Sequence, residues 1–118
     1  MIPPTPETLM RSRYSAYATC SADYIVATTY PSRRSENLRR EVIDFATKYE
    51  FQRLKILETR EGQSADEALV GFEVTSEERK RYAVRGMEAI IKPQKSRELS
   101  RFQREDGRWY YVDSDMNY

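Results

Sequence analysis

The fold is decided by the stretch Leu9-Met10-Arg11-Ser12-Arg13-Tyr14-Ser15-Ala16-Tyr17, which has helical spacing but places a charge among its apolar positions. The preceding Thr5-Pro6-Glu7 predicts a helix start, because a hydroxyl caps free amides, proline fits the first turn and an acid suits the positive end of the dipole. At about 100° per residue, one face carries Met10, Tyr14, Tyr17 and Ala18. Arg13 falls between Leu9 and Tyr17, so we expect it to point toward whatever the helix packs on.

Arg13 has two interpretations. A guanidinium cannot lose its charge at this position and must find acceptors. Its stem can pack while its head reaches solvent or pairs with an acid. Alternatively, it lines a pocket and holds an anionic ligand.

The composition indicates one domain over residues 1–118 and excludes several function classes. The chain has 118 residues, 20 of them basic and 19 acidic, with a formal net charge of +1. Such a balance argues against a dedicated nucleic-acid-binding protein. No apolar run approaches the roughly 18 residues of a membrane span, and the first residues lack the pattern of a signal peptide. We therefore expect a cytoplasmic protein with no nucleic-acid or membrane partner.

The absence of histidine limits the available chemistry. Without it, histidine general acid–base catalysis, triads that need it and the commonest metal ligand are all excluded. Cys20 is the single cysteine, so an internal disulfide and a Cys-rich metal site are excluded. A lone cysteine also fits a reducing compartment. We expect Cys20 to be partly buried in a helical region. We expect neither a metal ion nor a cofactor.

Two periodicities divide the rest of the chain. Further helices are predicted from Ser21 to about Thr28 and from a Ser35 cap to about Lys48. Beyond them the apolar period changes from 3.6 to 2, which is typical of strands. Strands are expected near 54–56, over 68–74, within 82–92, and over 99–105 and 108–113, with polar connections at 61–66 and 75–81.

Asp106-Gly107 is a strong hairpin signal, because a type I′ turn needs positive φ at both central positions. A two-residue loop places Phe102 opposite Tyr111 and Arg104 opposite Trp109. Helices followed by short-linked strands predict an α+β fold, in which the N-terminal helices pack on a curved antiparallel sheet of four or five strands.

Two blocks of sequence resemble the central domain of the YchJ-like family of small bacterial proteins. The blocks are Pro6 to Tyr17, continuing into Asp23-Tyr24-Ile25 and Tyr30-Pro31, and Glu98 with Ser100-Arg101-Phe102 and Asp106 to Asp113. The resemblance implies a nuclear transport factor 2-like (cystatin-like) cone. That superfamily includes enzymes, binding proteins and dimerisation modules, so the fold leaves the function open.

The chain departs from the family's pattern in two ways. Family members usually carry Cys-rich zinc-binding knuckles, and this sequence has none, so zinc binding is not carried over. Where the family typically has Trp-His-Pro, this chain has Thr29-Tyr30-Pro31. Tyr30 supplies a hydroxyl there but no base near neutral pH.

A ligand pocket inside the cone is the first candidate site. Its predicted lining is Arg13, Tyr14, Tyr17, Tyr30, Arg101, Phe102, Trp109 and Tyr111. Aromatic walls with one or two guanidinium groups suit a small anionic or aromatic ligand. Alternatively, Phe102, Trp109 and Tyr111 are simply core. By strict alternation Arg101 lies on the opposite sheet face from Phe102, so only one of the two faces inward unless a bulge intervenes.

We expect a noncatalytic small-ligand-binding or interaction domain that forms a homodimer through the exposed face of its sheet. The alternative is a histidine-independent lyase or isomerase that uses a buried carboxylate as base and a tyrosine as oxyanion donor. The candidate bases are Asp23, Glu98 and Asp113, and the candidate donors are Tyr14 and Tyr30. The enzyme requires a carboxylate of raised pKa inside the cone, whereas binding requires only an unpaired Arg13 facing a cavity.

Overall fold

A layer of helices covers one face of an antiparallel sheet, which confirms the α+β prediction. The structure, a computed structural model, describes residues 2–79 and 93–118. The helices are α1 (Pro6–Ala18), α2 (Ala22–Ala27) and α3 (Leu38–Lys48), with a 3₁₀ turn at Pro31–Arg33. The strands are β1 (Tyr49–Glu61), β2 (Glu67–Glu78), β3 (Gln94–Glu105) and β4 (Arg108–Asp115). They pair in the order β1-β2-β3-β4, each antiparallel to the next.

Both ends of α1 are capped by local hydrogen bonds. The Thr8 amide donates to Thr5 Oγ1 and the Thr5 amide donates to Thr8 Oγ1, each over 3.1 Å. This reciprocal pair satisfies amides that the first turn leaves free. At the other end Cys20 has a φ of 57°, and the Ser21 amide donates to the Ala16 carbonyl over 2.7 Å. Cys20 thus forms the left-handed end of the helix and is exposed, not partly buried as we predicted.

The buried side of α1 differs slightly from the predicted one. Leu9, Met10, Arg13 and Ala16 are buried, whereas Ala18 is exposed. Arg13 therefore points inward as expected. Ala18 was misplaced because the helix ends there, and its side chain lies past the edge of the packed layer.

Several predicted boundaries are corrected. Helix α3 begins at Leu38, three residues after the predicted cap, because residues 35–37 form a turn that closes with a 3.2 Å bond from the Leu38 amide to the Ser35 carbonyl. Strand β2 continues to Glu78, so residues 75–78, predicted as a connection, pair with β1 and β3. The strand predicted within 82–92 lies outside the described residues.

The hairpin between β3 and β4 has the predicted turn. Asp106 and Gly107 both have positive φ, at 53° and 77°. Phe102 pairs with Tyr111 and Arg104 with Trp109, which confirms the register. The register shifts between Arg101 and Phe102, which pair with Asp113 and Tyr111 and so leave one extra residue, the buried Val112, on β4.

The main core lies between α1 and one half of the sheet. It contains Leu9, Met10, Val70, Phe72, Phe102 and Trp109. A second cluster joins the three helices through Ala16, Ala22, Ile25 and Val42. Residues of α1 contribute to both clusters, so this helix holds the helical layer on the sheet.

Phe102→Ala should destabilise the protein by about 3–5 kcal/mol, because the Phe102 side chain is fully buried between α1 and the sheet. Phe45→Ala is the matched control. Its ring is 47% exposed, so we expect a loss of about 1 kcal/mol from ring contacts alone. Urea denaturation of both variants measures the difference, and equal losses would contradict this description of the core.

Candidate functional site

A cavity of about 310 Å³ lies between the helices and the inner face of the sheet. The helices contribute Met10, Arg13, Tyr14, Tyr17 and Phe45 to its lining. The sheet contributes Phe51, Phe72, Val74, Ser76, Ser96, Glu98, Ser100 and Tyr111. This volume is at the lower end of the range of small-molecule sites, which starts at about 300 Å³.

The cavity forms where the inner face of the sheet carries small or polar side chains. Alternation along β3 places Ser96, Glu98, Ser100 and Phe102 on one face. Phe102 fills its end of that face and belongs to the core, whereas the two serines leave space on both sides of Glu98. Phe45 of α3 also lines the cavity, and its ring is partly exposed to solvent.

Arg13 is buried and uses one nitrogen to cap α2. It is 4% exposed. Its Nη1 donates to the Ile25 carbonyl over 3.1 Å and to the hydroxyls of Thr28 and Thr29 over 2.8 and 3.3 Å. These acceptors lie at the C-terminal end of α2, where free carbonyls and the helix dipole favour a cation. The guanidinium therefore joins α1 to α2.

The remaining donors of Arg13 have no partner among the described residues. Its Nε and Nη2 form no hydrogen bond or ion pair with any described residue. Neither of these two nitrogens is both fully buried and without a hydrogen-bond partner. Because Arg13 lines the cavity, we infer that these two donors open onto it. The expected acid partner is thus not found in the described part of the chain. The guanidinium carbon instead lies 4.3 Å from the centre of the Tyr111 ring.

Burial shifts the pKa of Arg13 below its ordinary value, and the nearby tyrosines Tyr17, Tyr111 and Tyr24 oppose that shift. A guanidinium nevertheless keeps its charge in proteins. The cavity therefore carries a permanent positive charge.

Glu98 supplies the opposite charge. Its side chain is partly buried in the cavity wall, and burial raises the pKa of its carboxyl. No hydrogen bond or ion pair joins Glu98 to another of the described residues. A desolvated carboxylate without a partner is costly in free energy. Glu98 is therefore, after Arg13, the second charged group of the cavity that lacks a partner among the described residues.

Two tyrosine hydroxyls are influenced by both charges. Burial raises the pKa of Tyr17, Arg13 lowers it and Glu98 raises it again. The pKa of Tyr111 is also raised mainly by burial, with Arg13 opposing and Glu98 adding to the shift. Tyr17 and Tyr111 line the same cavity as Arg13 and Glu98.

The structure brings together four of the eight residues predicted for the pocket. Arg13, Tyr14, Tyr17 and Tyr111 line the cavity. Phe102 and Trp109 are core residues, in agreement with the alternative interpretation of the sequence.

The other two predicted residues lie outside the cavity, which corrects their assignment. Arg101 lies on the opposite face of the sheet from Phe102 and donates to Asp113 through two nitrogens, over 3.0 and 2.7 Å. Tyr30 meets Tyr110 edge-on, with ring centres 6.1 Å apart. The bulge after Arg101 falls on β4, so it keeps Arg101 facing outward.

Only one of the three candidate bases faces the cavity. Asp23 pairs with Arg39 at the surface over 2.8 Å, and the bond from Arg101 holds the pKa of Asp113 below its usual range on the outer face. The position of Glu98 would have been available from the sequence if the strand predicted over 99–105 had begun one residue earlier, because Glu98 shares a strand face with Phe102. Phe45 and Phe51 gave no such signal, since they line the cavity only through the tertiary packing of α3 on β1.

The described residues form neither a metal-binding group nor a helix that could span a membrane. Within 2–79 and 93–118, no three Cys, Asp or Glu side chains form a group that suits a metal ion. No helix in this part of the chain has the length and apolar character that crossing a bilayer requires.

The comparisons with known proteins identify the family. The family model described as the YchJ middle domain, of NTF2-like fold, matches residues 5–114. The chain belongs to the YchJ middle-domain family. It is 39% identical over 110 residues to a UPF0225 protein of Enterobacter sp. strain 638, covering 93% of this chain and 65% of that protein. A UPF0225 protein of Vibrio vulnificus is 37% identical, with coverage of 92% and 58%. The chain thus spans less than two thirds of either relative.

Solved structures with the same fold support this assignment of the YchJ middle domain. The solution structure of a SEC-C motif containing protein from Rhodopseudomonas palustris has a TM-score of 0.76 and 30% identity, covering 98% of this chain and 80% of that one. A ketosteroid isomerase-like protein from Erwinia carotovora has a TM-score of 0.69 at 20% identity, with coverage of 90% and 89%. The second likeness shows the fold alone.

Glu98→Gln should stabilise the domain at alkaline pH but not at acid pH. The folded state holds the Glu98 proton more tightly than the unfolded chain, so its stability falls as the pH rises through the raised pKa. The gain of the variant should be complete above that pKa and vanish below about pH 4.3. Urea denaturation at several pH values measures it.

Glu73→Gln is the control of opposite sign. The hydrogen bond from Arg97 lowers the pKa of Glu73, so its ionised form stabilises the fold and that contribution is lost at low pH. This variant should be less stable than wild type at neutral pH and approach it in acid. The same sign for both variants would show that Glu98 is not desolvated by the cavity.

Proposed function

We propose that this YchJ middle domain is a noncatalytic binding domain for a small organic ligand, held in the cavity between α1 and the sheet. The observation that supports this most directly is Arg13, a buried cation that faces a cavity without an acidic partner among the described residues. A ligand anion would supply the acceptors that Nε and Nη2 lack.

The walls favour a flat, largely apolar ligand body. Tyr14, Tyr17, Phe45 and Phe51 form a cluster with edge-on and tilted ring contacts, with centres 5.6 to 6.1 Å apart. Phe72 lies behind them in the sheet. Aromatic walls with a few fixed polar groups are typical of small-molecule sites.

A lyase or isomerase that uses a buried carboxylate is the second candidate. Glu98 favours it, because its raised pKa is the property that such a base requires. Tyr14 lines the same cavity, whereas Tyr30 does not. Binding is the simpler proposal, because it requires only that Arg13 and Glu98 lack partners among the described residues.

The homodimer remains a prediction. The outer face of the sheet carries ion pairs, among them Glu73 with Arg97 over 3.1 Å and Arg101 with Asp113 over 2.7 Å. A dimer through this face would therefore meet through charged side chains. Localisation in the cytoplasm remains an expectation as well.

A thermal-shift screen with Arg13→Met tests the binding proposal. Aromatic carboxylates and phosphate esters should include compounds that raise the melting temperature of the wild type, since a ligand selective for the folded state stabilises it by mass action. Arg13→Met should abolish those shifts and also lower the free energy of unfolding by about 1–3 kcal/mol, because it removes one cap of α2. The loss is limited because the threonine hydroxyls keep other partners and a desolvated charge is removed.

Arg101→Met is the matched control, because Arg101 has the same charge on the opposite face of the sheet and should leave the shifts unchanged. Arg13→Lys provides a second test if the Met variant folds poorly, since it keeps the charge but loses the two-pronged geometry. An absence of stabilising compounds, or shifts that survive in both Arg13 variants, would contradict the proposal.

A further inference from the structure

We propose that the cavity selects a planar aromatic acid that carries an amine at the far end of its ring, with the carboxylate at Arg13 and the amine at Glu98. This inference rests on the binding function proposed above and adds the class of ligand. Arg13 and Glu98 both determine this class of ligand, since each carries a charge that no described residue neutralises.

The two charges are complementary to a ligand and not to each other. Two donors of Arg13 lack a partner in the described part of the chain, and Arg13 lines the cavity. Glu98 forms no hydrogen bond or ion pair with a described residue. If they met, they would form a buried ion pair and leave nothing for a ligand to satisfy. Because Arg13 and Glu98 do not pair with each other, a ligand with a single charge can pair with only one of them.

A chain of contacts along the cavity wall leads from Arg13 toward Glu98. The Arg13 guanidinium lies over the Tyr111 ring, and Tyr111 Oη lies 2.7 Å from Ser114 Oγ. Ser114 Oγ in turn lies 2.8 Å from Ser100 Oγ. Glu98 is two residues further along the same face of β3, a step of about 7 Å. The two charged groups line one cavity, and no ion pair joins them.

A ligand whose charged groups are held apart matches two protein groups that do not pair with each other. In an α-amino acid both charged groups are attached to one carbon and lie close together. Groups at opposite positions of an aromatic ring are held apart by the ring itself. The ring would lie among Tyr14, Tyr17 and Phe72, which line the same cavity as the two charged groups.

The test compares two benzoates of nearly equal shape. In 4-(aminomethyl)benzoate an ammonium occupies the position of the terminal methyl group of 4-ethylbenzoate. Isothermal titration calorimetry measures both compounds against wild type, Glu98→Gln and Glu73→Gln, with circular dichroism as the check of folding. Glu73→Gln removes a carboxylate from a neighbouring strand outside the cavity lining.

We expect wild type and Glu73→Gln to bind the amine at least about tenfold more tightly than the ethyl compound, as one charge-assisted hydrogen bond allows. Glu98→Gln should reduce the preference to within about threefold. Equal binding of both compounds to wild type would overturn this inference but leave the binding proposal standing. A preference that survives in Glu98→Gln would also overturn it. Binding of neither compound to wild type overturns it too, and the Arg13 screen then decides the binding proposal separately.

Discussion

The capping of α2 by arginine is the interaction on which the helical layer depends. Helix α2 has six residues, too few to be stable alone. Arg13 bonds to its Ile25 carbonyl from inside, and Arg34 donates to the Ala27 and Thr29 carbonyls from outside over 3.0 and 2.8 Å. The segment that follows is joined to β4, because the Tyr111 amide donates to the Thr28 carbonyl over 2.8 Å. A single contact point thus connects α1, α2 and the sheet.

The same contact point gives the cavity its charge. Since Nη1 is bonded to α2, the fold fixes the guanidinium, while its other donors have no partner within residues 2–79 and 93–118. Small residues on β3 then prevent the core from closing over it. The sheet is divided accordingly: its Phe102 end stabilises the fold, and its Ser96–Ser100 end leaves room for chemistry. No acid among the described residues pairs with Arg13, which distinguishes this arrangement from an ordinary buried ion pair.

Much of the fold was predictable from local patterns, and part of the site was not. Helical spacing located α1, positive φ at Asp106-Gly107 fixed the last hairpin, and alternation separated Arg101 from Phe102. Glu98 lay just outside the strand predicted over 99–105. The observed strand begins at Gln94, and alternation along it places Glu98 on the inner face. The acceptors of Arg13 are a backbone carbonyl and two hydroxyls from a neighbouring helix, which no sequence spacing specifies. Phe45 and Phe51 likewise depend on how α3 packs against β1.

Side-chain NMR of the arginines tests the central claim most directly, namely that Arg13 presents free donors to a ligand cavity. In a titration of the ¹⁵N-labelled protein with benzoate, the Nε–H resonance of Arg13 should shift in a saturable way. The corresponding resonance of Arg101, which is bonded to Asp113 over 3.0 Å, should stay in place. Shifts confined to surface arginines, with the Arg13 resonance unmoved at saturating benzoate, would show that its remaining donors do not face a binding site.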